Sequence, residues 1–310
     1  MNTTIIDDKS EHCIPFLLTL LEVHKRKHED NPNSPPFFVG LNGIQGAGKT
    51  VLVSTLRSIL STAPYNLPTI TFSLDDIYLT HADQQHLAAA HLSNPLLQHR
   101  GQPSTHDIPF GSKVFDSLRR NKPTKIPSYD KSAFNGQGDR TPEDAWEVVN
   151  DTQKGQPLIK LVIFEGWCVG FRPRPVKEVK AEWEDAVKRR QRDDSYNGQL
   201  GYVKLEDVLT INDSLKEYDA FTSDAEDTQN VYYWRQQQEQ TLLATKGKGM
   251  TPDQVSQFVN GYYPSYELYT NQLRNGVFKP TEENGDEDWK GRQLRLIVDK
   301  QRRVKEVITI

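Results

Sequence analysis

Two rhythms alternate along this chain. Short apolar runs bounded by turn residues predict buried strands, and longer stretches with apolar positions every three or four residues predict helices. Ile14–Val23 (IPFLLTLLEV) predicts an amphipathic helix with Pro15 in its first turn. Phe37–Leu41 predicts a strand and Val51–Leu60 a helix. Thr69–Leu74 predicts a second strand, and Thr80 with Asp83 marks a helix start by the capping-box pattern. A helix beginning near Asp107–Pro109 carries Val114, Phe115 and Leu118. Ile126 starts a short strand that runs into a polar loop as far as Arg140, and Pro157–Phe164 (PLIKLVIF) predicts a further strand. Helices follow over Lys204–Lys216 and Thr228–Lys246, with a strand at Asp219–Ser223 between them. Lys246–Met250 breaks that pattern, and Thr251, Pro252 and Gln254 open a new helix, again as a capping box. Tyr262, Tyr263, Tyr266 and Tyr269 fall at helical spacing and read as core or interface. Gly276–Arg292 reads as an acidic loop, and Leu294–Val298 with Val304–Ile310 as a closing hairpin around Asp299–Arg303. Strands alternating with helices predict an α/β fold, a mostly parallel sheet with helices on both faces.

Composition narrows the class. A chain of 310 residues can bury a sizeable core as one domain with a lid. The net charge of −4 gives no electrostatic case for nucleic acid. No apolar run approaches the ~20 residues of a membrane span. The N-terminal residues carry acids where a transit peptide would carry arginines, and they lack a signal-peptide core. Cys13 and Cys168 make neither a disulfide framework nor a metal-type spacing. These features point to a cytoplasmic enzyme, with the nucleus left open. Arg172–Asp194 is dense in both charge signs, and its run Lys188–Arg192 reads as the face of a solvated helix.

The chemistry begins where the first strand ends. Gly43, four residues, Gly48, Lys49 and Thr50 match the phosphate-binding pattern G-x-x-x-x-G-K-[ST], in the strand–loop–helix setting the pattern needs. Such a loop curls so that backbone N–H groups of residues such as Gln45, Gly46, Ala47 and Val51 face one concavity at a helix N-terminus. Lys49 adds a mobile charge for the outer phosphates, and the Thr50 hydroxyl can ligate Mg²⁺. The expected fold is therefore a three-layer P-loop NTPase, a single domain over residues 1–310. Its helical lid falls at roughly 225–250, and a charged insertion at roughly 172–204.

Other polar residues gather at the predicted strand ends. Asp75 and Asp76 follow the second strand, where ligands bind in open α/β sheets. Glu165 follows the strand Pro157–Phe164 and can reach Mg²⁺. Arg100–Asp107 and Tyr129–Arg140 are polar loops suited to binding, although Asp107 reads equally well as a helix N-cap. The guanine-binding string N-K-x-D is absent; Asn121–Thr124 lacks the acid. A small-molecule kinase fits the set best. Thr50 and Glu165 would hold Mg²⁺, Gly46, Gly48 and Lys49 the phosphates of ATP, Asp75 the acceptor's proton, and Arg235 would act as the closing cation.

With these residues in hand, the chain resembles the phosphate-loop kinase group that holds pantothenate kinase, uridine kinase and phosphoribulokinase. Within it, the chain is most similar to the D-glycerate 3-kinase family and its fungal ATP-binding kinase-like relatives. The resemblance rests on GIQGAGKT (Gly43–Thr50), SLDDIYLTH (Ser73–His81), RGQPSTHD (Arg100–Asp107), YDKSAFNGQGDR (Tyr129–Arg140), FEGWCVGF (Phe164–Phe171), VYYWRQQQE (Val231–Glu239) and GKGMT (Gly247–Thr251). It implies that Asp75 is the catalytic carboxylate and that Glu165 is the acid after the Walker-B-like strand. It puts Arg100, His106 and Asp107 in one substrate-side loop, Tyr129, Asp130 and Lys131 in a second, and Arg235 in the lid. It tilts Asp107 toward substrate binding. The stretch Arg172–Lys204 matches no motif of the family. The implied activity is ATP-dependent phosphorylation of a small hydroxyl compound, D-glycerate first. Pantothenate, a nucleoside or another sugar acid stands as the alternative acceptor, and an ATP-binding regulator without catalysis as the alternative class.

Overall fold

A computed structural model describes residues 7–29, 31, 33–193, 195–218, 234–237, 239–240, 244, 250–277 and 290–310. The predicted strand Asp219–Ser223, most of the predicted helix Thr228–Lys246 with the lid around it, and most of the acidic loop Gly276–Arg292 lie outside these residues.

The centre is a parallel sheet of three strands, β1 (Phe37–Asn42), β2 (Thr69–Ser73) and, later in the chain, Leu161–Gly166, which lies between them. Three short pieces precede that middle strand: β3 (Thr124–Ile126), β4 (Tyr129–Asp130) with β5 (Asp139–Arg140), and β6 (Glu147–Val149). The middle strand is therefore β7. β3 pairs with β6 and β4 with β5, both antiparallel.

Alternation along β7 builds the layers, because successive side chains of a strand point to opposite faces. Leu161 and Ile163 join Leu41 against helix α1 (Ser10–Lys27) and helix α2 (Lys49–Ser61), through Leu17, Leu21, Leu52 and Leu56. Val162 and Phe164 face the other way, with Ile70 and Phe72, onto the larger core. A short helix α3 (His81–Ala90) precedes α4 (Ile108–Arg119), whose Val114 and Leu118 belong to that core. So do Val179 and Ala186 of α5 (Val176–Arg192), and Val208 and Ile211 of α6 (Leu205–Ser214). The expected three-layer α/β architecture is present.

Two local expectations need correction. Thr80 does cap α3, accepting from Asp83 N–H, but the reciprocal half of the box is missing because the Asp83 carboxylate takes the Thr80 hydroxyl instead. The tyrosine run is not one helix: α7 (Pro252–Asn260) ends at Gly261, and α8 starts afresh at Tyr263 and runs to Arg274. All four tyrosines are buried, as their spacing suggests. The capping box at Thr251 is complete.

Within the charged stretch Arg172–Lys204, Val176–Arg192 forms α5, which packs against the core. α5 buries Val179 and Ala186, while Arg174 bonds Glu182 at 2.7 Å and the Leu268 carbonyl at 2.8 Å. Its basic last turn, Arg189 to Arg192, is solvated. The closing hairpin forms as predicted, β8 (Leu294–Val298) against β9 (Val304–Thr309). No described helix is long and apolar enough to cross a membrane.

Candidate active site

The parallel register brings three strand ends together. Leu41 and Ser73 flank Glu165 across the sheet, so β1, β2 and β7 deliver the phosphate loop, Asp75 and Glu165 to one place. Gly46 and Gly48 have φ of +83° and +95°, the left-handed region open to glycine at little cost. Gly46 also lies where a Cβ would stand 2.3 Å from Trp234 Cβ. Ala47 N–H closes a turn onto the Ile44 carbonyl, and Val51 sits in the first turn of α2. Lys49 Nζ donates to the Gly43 carbonyl at 2.6 Å, folded into the concavity that phosphates would fill. Burial lowers its pKa, and Glu165 and Asp75 oppose that shift.

A cleft of about 100 Å³ opens at these strand ends. Gln45, Gly46, Lys49, Thr50, Asp75, Arg100, Lys131, Glu165 and Arg235 line it, with Tyr78, Trp167, Phe258 and Tyr262. Small-molecule sites usually measure ~300–1,000 Å³, so this cleft must widen to admit a nucleotide with an acceptor. A larger cavity, about 480 Å³, lies between α1, β1 and β8. Apolar side chains such as Phe16, Leu20 and Leu294 dominate it, and it has no phosphate loop.

Asp75 sits in the 3-10 turn Leu74–Ile77 directly after β2. Its Oδ2 is 2.5 Å from Lys131 Nζ. Burial works to raise its pKa, but Lys131 and then Lys49 outweigh burial and hold the carboxyl well below its ordinary range. Neighbouring Asp76 goes the other way. Burial pushes it up to about 7, against the bond it accepts from Ser73 N–H, with Asp75 adding to the rise. Glu165 Oε1 accepts from the Ser73 hydroxyl at 2.9 Å, and the residue lines the cleft together with Asp75.

The predicted substrate loops divide. Arg100 and Lys131 reach the cleft. Arg100 also donates to the carbonyls of Gly136 (2.7 Å), Gln137 and Lys131 (3.4 Å), pinning the β4–β5 loop. His106 is not in the cleft wall. It stacks behind Tyr78 at 4.5 Å, its Nδ1 lies 2.7 Å from the Tyr218 hydroxyl, and burial pushes its pKa down to about 3. Asp107 caps α4, Oδ1 accepting from Phe110 N–H at 3.0 Å while Oδ2 pairs with Arg140 at 3.2 Å. Tyr129 packs edge-on against Tyr78, and Asp130 folds back onto Ser132. Arg235 lines the cleft, pairs with Glu239 and lies over the Phe258 ring at 5.3 Å.

Two features escape sequence reading. Tyr262 enters the cleft wall from the break between α7 and α8, and Arg302, in the turn of the closing hairpin, donates from Nε to the Gly46 carbonyl at 2.6 Å. Only the positive φ pressure of a tight turn could have hinted at Arg302, and an arginine gives no such signal.

For a metal, the donors in reach are the Thr50 hydroxyl and the carboxylates of Glu165 and Asp75, all hard oxygens. Among the described residues no group of three or more His, Cys, Asp or Glu side chains could form a protein cage. One or two protein oxygens completed by phosphate and water is the usual manner of Mg²⁺, and these residues fit it.

A phosphate loop at the end of one parallel strand, a carboxylate at the end of its neighbour and a cleft at both ends define a P-loop kinase. No family model matches the chain. An uncharacterized kinase, mug58, of Schizosaccharomyces pombe is 40% identical over 258 residues, covering 80% of this chain and 86% of that one. The probable ATP-dependent kinase TDA10 of Saccharomyces cerevisiae is 33% identical, covering 86% and 89%. The solved structure of D-glycerate 3-kinase from Cryptococcus neoformans superposes with a TM-score of 0.80 at 30% identity, over 98% of this chain and 100% of that one. The chain belongs to the family of D-glycerate 3-kinase and its fungal ATP-dependent kinase relatives, and it is an ATP-dependent kinase.

Proposed function

We propose that the acceptor is a small hydroxy acid, D-glycerate before others, and that the described chain works as one kinase unit whose lid spans roughly 225–250. The observation that carries this reading is the gathering of Lys49, Thr50, Asp75, Lys131 and Glu165 around one cleft at the carboxyl ends of three parallel strands. The name of the Cryptococcus relative supports the acceptor.

In this reading the backbone N–H groups from Gly43 to Thr50, with Val51 behind them, hold the phosphates of ATP, and Lys49 swings from the Gly43 carbonyl onto them. Thr50 and Glu165 would hold Mg²⁺, which when bound would neutralise phosphate charge. The acceptor hydroxyl donates to Asp75. Its oxygen attacks the γ-phosphorus, the bond to the bridging oxygen of ADP breaks, and the hydroxyl proton passes to the Asp75 carboxylate. A carboxylate held by Lys131 is a weak base. It suits a loose transition state, in which the proton leaves late and orientation matters more than proton pull. Arg235 and Lys131 balance charge on the moving phosphoryl group, and closure over them excludes water as a competing acceptor. Arg100 faces the acceptor's acid group. His106 and Tyr129 support that wall through Tyr78, and Asp107 and Asp130 fix the two loops that form it.

The test is ADP release by the purified protein with Mg²⁺–ATP, alone and with D-glycerate, pantothenate, uridine and several sugar acids. Stimulation by D-glycerate, lost in Asp75→Asn, is expected. Stimulation by another compound alone would replace the acceptor, and ATP binding with no stimulation by any compound would count against catalysis.

A further inference from the structure

Tyr262 lines the cleft, and among the described residues its buried hydroxyl has no acceptor for its proton. The ring is locked between Phe258, at 4.7 Å between centroids, and Trp167, at 5.5 Å. The backbone of Gly101, at φ +145°, presses against it so closely that a Cβ there would stand 2.1 Å from Tyr262 Cε1. The residue is only 2% exposed, and its hydroxyl donates to no acceptor among the described residues. The Gln45 side chain of the phosphate loop lies close enough to act on the Tyr262 oxygen as a donor, which leaves the hydroxyl's own proton without an acceptor, and the Gln45 side-chain oxygen is likewise unpartnered. By contrast Tyr266, one turn on, uses its hydroxyl to accept from Gln45 N–H.

A buried polar group normally finds a partner, and one that does not calls for an explanation. Here the surroundings supply it. Arg235, Arg100 and Asp75 all act on this hydroxyl electrostatically, and burial raises its pKa, so the group stays protonated and can donate. A donor flanked by two guanidinium groups is a seat for an anionic oxygen. The nucleotide phosphates already have Lys49, Thr50 and the loop N–H groups. The acceptor side has Arg100, but that guanidinium is engaged with the carbonyls of Lys131, Gly136 and Gln137. It can offer charge there more readily than a directed hydrogen bond.

We propose that the Tyr262 hydroxyl is the hydrogen-bond donor that selects an acceptor bearing a carboxylate, with Arg100 supplying the charge. The proposal rests on the hydroxy-acid reading above. It makes Tyr262 a specificity residue of the acceptor site, reached when the cleft widens to load its substrates. A site that keeps a buried donor for one substrate group discriminates strongly against compounds that leave the donor unpaired.

Tyr262→Phe tests it, because the ring and its packing stay while the hydroxyl goes. Initial rates are measured for the wild type and the variant with D-glycerate varied at saturating Mg²⁺–ATP, then with ATP varied, alongside thermal melts of both proteins. The variant should raise KM for D-glycerate about tenfold or more, the scale of a hydrogen bond to a charged group. KM for ATP should hold, and the melting temperature should not fall, since the hydroxyl donates to no internal acceptor. An unchanged KM for D-glycerate, a shift confined to ATP, or a lowered melting temperature would each overturn the assignment. If the wild type responds to no carboxylate acceptor, the hydroxy-acid reading fails and this inference with it. If the wild type responds and the variant matches it, the inference alone falls.

Discussion

Lys131 Nζ stands 2.5 Å from Asp75 Oδ2, so the carboxylate assigned to the acceptor's proton is held by a cation before any substrate arrives. Asp75→Asn keeps the shape and removes the base. Turnover should fall by about 10²–10⁴-fold, while the Kd for ATP by calorimetry stays near that of the wild type. Lys131→Met should release the opposite effect on the same group. With its main cation gone, burial dominates and the Asp75 pKa rises. The acid limb of the rate profile should therefore move to higher pH, and an unmoved limb would exclude Asp75 as the titrating base.

Gly46 and Gly43 make a graded pair. A Cβ at Gly46 meets Trp234 at 2.3 Å and needs φ of +83°, whereas one at Gly43 meets only the flexible stem of Lys49 at 3.2 Å. Strain of ~1–3 kcal/mol attaches to a non-glycine residue in such a conformation. Gly46→Ala should weaken ATP binding at least tenfold, about 1.4 kcal/mol, and Gly43→Ala distinctly less. Equal losses in a nucleotide titration would count against this geometry.

Arg302 Nε donates to the Gly46 carbonyl at 2.6 Å, its guanidinium lies 5.4 Å from the Trp234 ring, and its own carbonyl accepts from Lys9 Nζ at 2.6 Å. Arg302→Ala removes the donor and leaves a buried carbonyl poorly served, at a cost of about 1–3 kcal/mol. Urea unfolding should register that loss. KM for ATP should rise with it, because the same bond fixes the phosphate loop.

Asp76 gives the fold a pH dependence of definite sign. Its pKa is pushed by burial from the ordinary 3.8 up to about 7 in the folded chain. The folded state therefore holds a proton that the unfolded chain releases, and this contribution is fully present below pH ~3.8 and lost as pH rises through about 7. Asp76→Asn, which can still accept from Ser73 N–H, should flatten that segment of the stability curve. A wild-type and variant difference that stays constant from pH 4 to 8, a window of roughly the size linkage sets, would refute the assignment.

Asp107 separates capping from binding. Asp107→Ala removes the cap of α4 and should cost ~1 kcal/mol. Asp107→Asn retains the cap and loses only the charge facing Arg140. If Asp107 acts by fixing its loop, melting temperature tracks the alanine change and KM for the acceptor is little altered by asparagine. A large KM rise in the asparagine variant would put Asp107 against the substrate instead.

Much of this architecture is legible from local pattern. The apolar runs at Phe37, Thr69 and Leu161 are short and flanked by turn residues, so β1, β2 and β7 declare themselves, and the glycine–lysine loop fixes where the first one leads. Asp75 and Glu165 were readable for the same reason, each being the acid that ends an apolar run. Other features depend on contacts that no local pattern encodes. His106 and Asp107 sit in a loop of binding character, yet one is drawn behind Tyr78 and the other is taken up by a helix end. The charged surface of α5 hides two buried positions, Val179 and Ala186, that tie it to the core. Tyr262 looked like any core tyrosine because its distinction lies in what its hydroxyl fails to meet.

The bond from Arg302 to Gly46 spans 256 residues of chain, and this bears on biosynthesis. The phosphate loop leaves the ribosome early, but the groups that brace it, Trp234 and then Arg302, follow long after. A nascent chain can thus display the glycine–lysine loop without the geometry to retain ATP. Full affinity for nucleotide arrives only with residue 302, and a chain halted before the closing hairpin should bind ATP more weakly than the finished protein even though every residue of the phosphate loop is present.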